Sequence, residues 1–190
     1  MGIFDRLGKI FRSEENENKK NKETKPDRLE ANMANLRIGD LVEYDLSTWD
    51  VIGVNKYRYG NEDSLEFVLK EGSKIIYLEK GESGEWKVGI AMPISKLDPN
   101  LKILLDERGK PPEKFHYDKT YYHLDEEGSG SVNFHESDCI SNFVTFDYWD
   151  FIDEEDEKSI SISAWPNAGY EATVASYEPE RKFKVLPGSN

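Results

Sequence analysis

The spacing of hydrophobic residues changes along this chain. Between Met1 and Arg12, Ile3, Phe4, Leu7, Ile10 and Phe11 recur at helical spacing, while Asp5, Arg6, Lys9 and Arg12 fall on the opposite side. This pattern predicts an amphipathic helix of about three turns over residues 1–12. Residues 13–25, SEENENKKNKETK, contain no apolar side chain and read as a disordered tether. Pro26 suits the first turn of a short helix that carries Leu29, Met33 and Leu36 along one side.

From Leu36 the period is that of strands. Leu41–Tyr44 and Trp49–Val54 flank a hairpin loop over Asp45–Thr48, and Leu65–Leu69 and Lys74–Glu79 flank another over Lys70–Ser73. Glu85–Ile90 reads as the next strand, and Pro93, Pro99 and the Pro111-Pro112 pair punctuate the stretch beyond it. The second half repeats the order. Phe115–Asp118 and Tyr121–Leu124 resemble Val42–Asp45 and Trp49–Val51, sharing a Tyr-Asp pair. Thr145–Ile152, Ser159–Trp165 and Tyr170–Val174 resemble the later strands, and the Asp153–Lys158 loop sits where Lys70–Ser73 sat. The interval is roughly 70–80 residues, with an insertion near Val132–Asn142. The expected fold is all-β, in two similar antiparallel units that are barrel- or sandwich-like, over about 36–98 and 113–187. The amphipathic helix 1–12 and the tether with its short helix, 13–35, precede this body of residues 36–187. A body of that length buries a core without help from metal or disulfide.

Charge sharpens this division. The whole chain carries −13, yet residues 1–30 hold eight bases and seven acids, so a near-neutral arm precedes an acidic body. No basic face is available to track a phosphate backbone, which argues against nucleic acid as a partner. The one cysteine, Cys139, excludes an internal disulfide and fits a reducing cytoplasm. No apolar run is long enough to span a membrane.

Candidate chemistry is sparse. His116, His123, His135 and Cys139 have the spacing H-x6-H-x11-H-x3-C, which matches no zinc pattern, so no metal and no cofactor is expected. Asp147, Asp150 and Asp153–Glu157 place seven acids within eleven residues. They lack the glycine of a calcium loop and read as a solvated hairpin tip. Gly128–Ser131 reads as a flexible turn, because the lysine of a phosphate loop is missing. There is no nucleophile elbow and no histidine with a recognisable orienting partner, so the chain reads as non-enzymatic. Trp49, Trp86, Trp149 and Trp165, with ten Tyr and nine Phe, mostly suit a core.

Five stretches carry a family likeness: Leu36–Tyr44, Trp49–Val54, Lys119–Leu124, Gly128–Val132 and Phe146–Phe151. They resemble the bacterial family catalogued as domain of unknown function 4178, across roughly residues 36–187. Members tend to be encoded beside phage-shock protein A homologues, small membrane proteins and polyamine aminopropyltransferase-like enzymes. The resemblance therefore implies an accessory role near the inner membrane in envelope stress, and it carries over no active site. Met1-Gly2-Ile3-Phe4 and its continuation are also similar to the membrane-sensing start of phage-shock protein A.

Ile3, Phe4, Leu7, Ile10 and Phe11, opposed by Arg6, Lys9 and Arg12, suit an anionic bilayer surface. A membrane-bound partner, such as a phage-shock protein A-like protein, or the protein's own body are the other surfaces such a helix fits. Charges interrupt the apolar residues and there is no cleavage site after them, so the segment is no secretory signal. Arg6 stands where a myristoylation motif wants Ser or Thr. The expected function is a non-enzymatic adaptor, cytoplasmic and peripheral on the inner membrane, contacting membrane or partner through Ile3, Phe4, Arg6, Leu7, Lys9, Ile10 and Phe11. Aromatic faces beside carboxylates are also the chemistry that holds organic cations, so the alternative is a binding protein or enzyme for polyamines or other small cations.

Overall fold

A computed structural model describes residues 31–186, apart from Glu82, Ser137 and Asp138, together with Gly188. The amphipathic helix 1–12, the tether and Pro26–Leu29 lie outside the described residues.

Two tight turns open the two halves of the strand pattern. Asp45 and Leu46, at φ of 48° and 61°, join β1 (Leu41–Tyr44) to β2 (Ser47–Tyr59). Asp118 and Lys119, at 45° and 67°, join β6 (Lys114–Tyr117) to β7 (Thr120–Glu136). Left-handed backbone at both central positions matches the right-handed twist of the flanking strands, and Asp tolerates it better than most residues. The shared Tyr-Asp pair thus marks the same hairpin twice. Ser47 and Thr48 belong to β2, so the first loop is shorter than its sequence indicated.

Between these hairpins run β3 (Glu62–Glu71), β4 (Lys74–Lys80) and β5 (Trp86–Pro93). After the second come the short β8 (Cys139–Ile140), then β9 (Val144–Asp153), β10 (Lys158–Trp165) and β11 (Gly169–Glu178). The order β2-β3-β4-β5-β11-β10-β9-β7 is antiparallel throughout, and β7 pairs back onto β2 from Gly53↔Glu136 to Arg58↔Ser131. Eight strands therefore close into a barrel, the all-β architecture that the alternating pattern predicts. A last strand, β12 (Lys184–Leu186), returns to pair with β1.

The crossover between β5 and β6 contains a feature the strand period did not indicate. A 3-10 turn at Ile94–Lys96 leads into helix α1 (Leu101–Arg108). Asp98 accepts the Asn100 N–H at 2.8 Å before the helix, and Gly109, at φ 72°, ends it by donating to the Leu105 carbonyl. Leu101 and Leu105 are buried. Among the described residues no helix is long and apolar enough to cross a membrane.

Side chains alternate across each strand, and on β3, β4, β5 and β10 most of the aliphatic set points away from the barrel lumen. Phe67, Leu69, Ile76, Leu78, Trp86 and Val88 form one cluster, covered by Val42 of β1, by Met33 and Leu36 around a 3-10 turn at Met33–Asn35, and by Phe183. Trp149, Phe151, Ile160, Ile162 and Ala172 form a second, covered by Ile94, Leu97, Leu101, Leu105 and Phe115. An eight-stranded barrel usually fills its interior with apolar side chains or holds one small ligand there. This one packs two hydrophobic cores on its outer faces, and its interior is divided between a third cluster, built on Val132, Phe134, Phe146 and Tyr148, and the polar residues of the inward face.

Candidate functional site

The register assembles the inner face residue by residue. Asn55 stands opposite Glu66, Glu66 opposite Glu79, and Glu79 opposite Lys87. Across the barrel, Thr173 stands opposite Ser161, Ser161 opposite Asp150, and Asp150 opposite Glu126. All of these except Asn55, with Tyr57, Tyr59, Tyr77 and Tyr148, wall a cavity of about 150 Å³. A smaller cavity of about 40 Å³ shares Tyr57, Glu66, Tyr77, Ser163 and Thr173 with it.

Neutral donors meet the carboxylates. Glu66 Oε1 accepts from Asn55 Nδ2 at 2.8 Å and from Tyr57 OH at 3.2 Å. Ser64 Oγ donates to Glu79 Oε1, and Tyr148 OH donates to Glu126 Oε1 at 2.6 Å. Lys87, the one lysine in the cavity wall, donates to Ser161 Oγ at 3.3 Å. Glu66 Oε2 and Glu79 Oε2 have no protein donor among the described residues.

The electrostatics come from this arrangement. Burial, reinforced by the charge of Glu79 opposite, pushes Glu66 up to about 7, against the pull of its bonds from Asn55 and Tyr57. Burial disfavours the Lys87 ammonium, but Asp150, Glu79, Tyr177 and Glu66 outweigh it and hold the lysine above its ordinary value. It is therefore a charged ammonium at neutral pH. Burial, then neighbouring carboxylates, push Tyr57, Tyr59 and Tyr77 upward as well, so the walls are neutral phenols. Glu66, Glu79, Glu126 and Asp150 thus share a cavity with a single lysine, and negative charge is in excess.

Aromatic rings fill the space beside the cavity. Tyr59 meets Tyr148 edge-on at 5.1 Å between centroids, and Phe146 meets Trp165 at 4.9 Å. Phe146 and Trp165 also border an open groove that includes Arg58, Ser129, Asp147 and Pro166. Gly128–Ser131, a turn by its composition, instead runs inside β7. A Cβ on Gly130 would come within 3.0 Å of Phe146 and 3.1 Å of Tyr59, and one on Gly128 within 3.0 Å of Tyr148. The glycines make room for rings.

A family model described as domain of unknown function 4178 matches residues 37–180. The chain belongs to that family. The span matched to domain of unknown function 4178 contains every strand of the barrel and every residue named in the cavity wall. A protein of Aquifex aeolicus strain VF5, described as an uncharacterized protein, is 26% identical over 174 residues, which cover 90% of this chain and 90% of that one. No solved structure gives a significant match.

The site draws on residues that the sequence pattern does not single out. Ile3, Phe4, Arg6, Leu7, Lys9, Ile10 and Phe11 lie outside the described residues. The acidic run Asp147–Glu157 is not uniformly solvated. Asp150 lines the lumen, and buried Asp153 accepts the Glu157 and Lys158 N–H groups at 2.9 and 3.0 Å, closing the β9–β10 hairpin. His116 and His123 are exposed on β6 and β7, and among the described residues no three ligand-type side chains gather as a metal site. Glu66, Glu79 and Lys87 are the residues that sequence reasoning misses. Their signal is present but slight: Glu66 precedes the buried run Phe67–Leu69, Glu79 follows the buried run Ile76–Leu78, and Lys87 lies between buried Trp86 and Val88. A polar face on a strand reads as solvent-facing until the barrel is seen to close.

Proposed function

We propose that the barrel lumen binds a small organic cation, with Glu66 and Glu79 as its anionic end and Tyr57, Tyr59 and Tyr77 as its walls. One observation carries this reading: two glutamates stand directly opposite each other beside a cavity inside a closed barrel. Like charges in that position repel, and burial penalises the charge on Glu66. A cation between them offsets both costs, and Tyr57, Tyr59 and Tyr77 line the same space. The cavity volume is in the range that holds a molecule of about six non-hydrogen atoms. A long polyamine therefore fits only through one end. Binding asks nothing more of these residues, so the reading is of a binding protein. The adaptor role at the inner membrane rests on residues 1–12, outside the described residues, and the lumen reading stands without it.

Calorimetric titration with n-butylammonium tests the reading. We expect saturable one-site binding that survives moderate salt of about 0.15 M, because a half-buried pair turned into the lumen is screened less than surface charge. Glu66→Gln with Glu79→Gln should remove it while the folded circular dichroism spectrum persists. Binding that disappears with salt, or that is unchanged in the double variant, would place the cation on the acidic outer surface and end the proposal.

A further inference from the structure

The unfilled hydrogen-bonding capacity of the lumen narrows the ligand beyond its charge. We infer that the ligand's headgroup is a primary ammonium that donates N–H bonds to Glu66 Oε2 and Glu79 Oε2. This rests on the cation-binding reading of the same cavity.

Each glutamate commits only one oxygen to the protein. Asn55 and Tyr57 both donate to Glu66 Oε1, and Ser64 donates to Glu79 Oε1. The second oxygen of each meets no protein donor among the described residues. The two side chains are direct cross-strand partners, Glu66 on β3 and Glu79 on β4, so their second oxygens are within reach of one small group. Lys87 attracts both glutamates through its charge but gives neither a hydrogen bond, because its ammonium donates past β11 to Ser161 Oγ on β10. Two acceptors held by neighbouring strands call for an occupant with at least two donors on one atom.

This requirement separates two kinds of cation. A quaternary ammonium is held by ring faces and offers no N–H, so it would leave both oxygens unpaired and desolvated. A primary ammonium presents three donors and satisfies both oxygens, with one left for a third acceptor. The tyrosines are not arranged as a cage for a methylated head. Tyr57 spends its hydroxyl on Glu66 and stacks parallel to Tyr59 at 5.9 Å. Hydrogen bonding and not ring attraction thus sets the preference.

Tert-butylammonium and tetramethylammonium make the comparison at equal size and equal charge. They are close to isosteric, and only the first carries N–H donors. Calorimetry on the full chain should give at least about tenfold tighter binding of tert-butylammonium, since hydrogen bonds to charged groups are the strong ones. In Glu66→Gln and Glu79→Gln, each checked by circular dichroism, the ratio should fall towards one. Tetramethylammonium binding as tightly as tert-butylammonium, in a manner lost in the double variant, would overturn the headgroup assignment and leave the cation site standing. Absence of binding by n-butylammonium as well as by both probes would overturn the assignment and the cation reading together.

Discussion

Glu66 is the residue on which protonation and the proposed cation meet. Its folded-state value of about 7 lies above the ordinary 4.5, so between those values the folded protein holds a proton that the unfolded chain has released. Stability from this residue is therefore present at low pH and is lost as pH rises through about 7. The full effect is at most about 3 kcal/mol. The charged and titratable groups around it are Glu79 and Tyr77 on β4, Lys87 on β5, and Tyr57 and Tyr59 on β2, with Asn55 as a neutral donor. Glu66→Gln keeps an acceptor for Asn55 and Tyr57 while removing the charge. Urea unfolding at pH 5 and pH 8 should show the variant close to wild type at the lower pH and more stable than wild type at the higher. Equal pH slopes for the two proteins would mean that Glu66 ionises freely.

At the scale of elements, the two Tyr-Asp hairpins are the clearest case of local chemistry fixing local structure. Leu46 is the misfit in them, since it takes φ 61° with its side chain fully exposed. A left-handed leucine is strained by about 1 kcal/mol, and its side chain makes no compensating burial. Leu46→Gly should raise the unfolding free energy by about that amount, read from the denaturant midpoint. A loss of stability would show that Leu46 makes a contact worth more than the strain. Helix α1 is readable in part. Asp98 before it, Gly109 after it and the Pro111-Pro112 pair beyond are start and stop signals, but its eight residues lack a clean amphipathic stripe to stand out from the strand period on either side. Gly128 and Gly130 are not readable, because the rings that need the room, Tyr148 and Phe146, lie on another strand. Nothing in the local sequence names that neighbour.

For the whole molecule, the period-two alternation and the turns make the all-β fold readable, and the two Tyr-Asp pairs locate two hairpins of the same turn geometry. What the alternation leaves open is which face is inside. Phe67, Leu78 and Val88 are core by any reading, and Glu66, Glu79 and Lys87 between them are surface by the same logic. That logic fails here because β2 and β7, far apart in sequence, pair and curl the polar face inward. Closure is a long-range event, and its consequence is a charged lumen held between two outer hydrophobic cores and the inner cluster of Val132, Phe134, Phe146 and Tyr148. The site is hidden from the sequence for the same reason that it exists.

The central claim is that a cation enters this lumen beside Glu66, and the proton count on binding tests it most directly. Near pH 7, Glu66 is about half protonated in the free protein, and a cation against it favours the ionised form. Titration of n-butylammonium at pH 7 in two buffers of different ionisation enthalpy measures the protons released per cation bound. About half a proton should leave, and none should leave in Glu66→Gln. Binding heat that is identical in both buffers would contradict the account, because a cation that displaces no proton is not bound at Glu66.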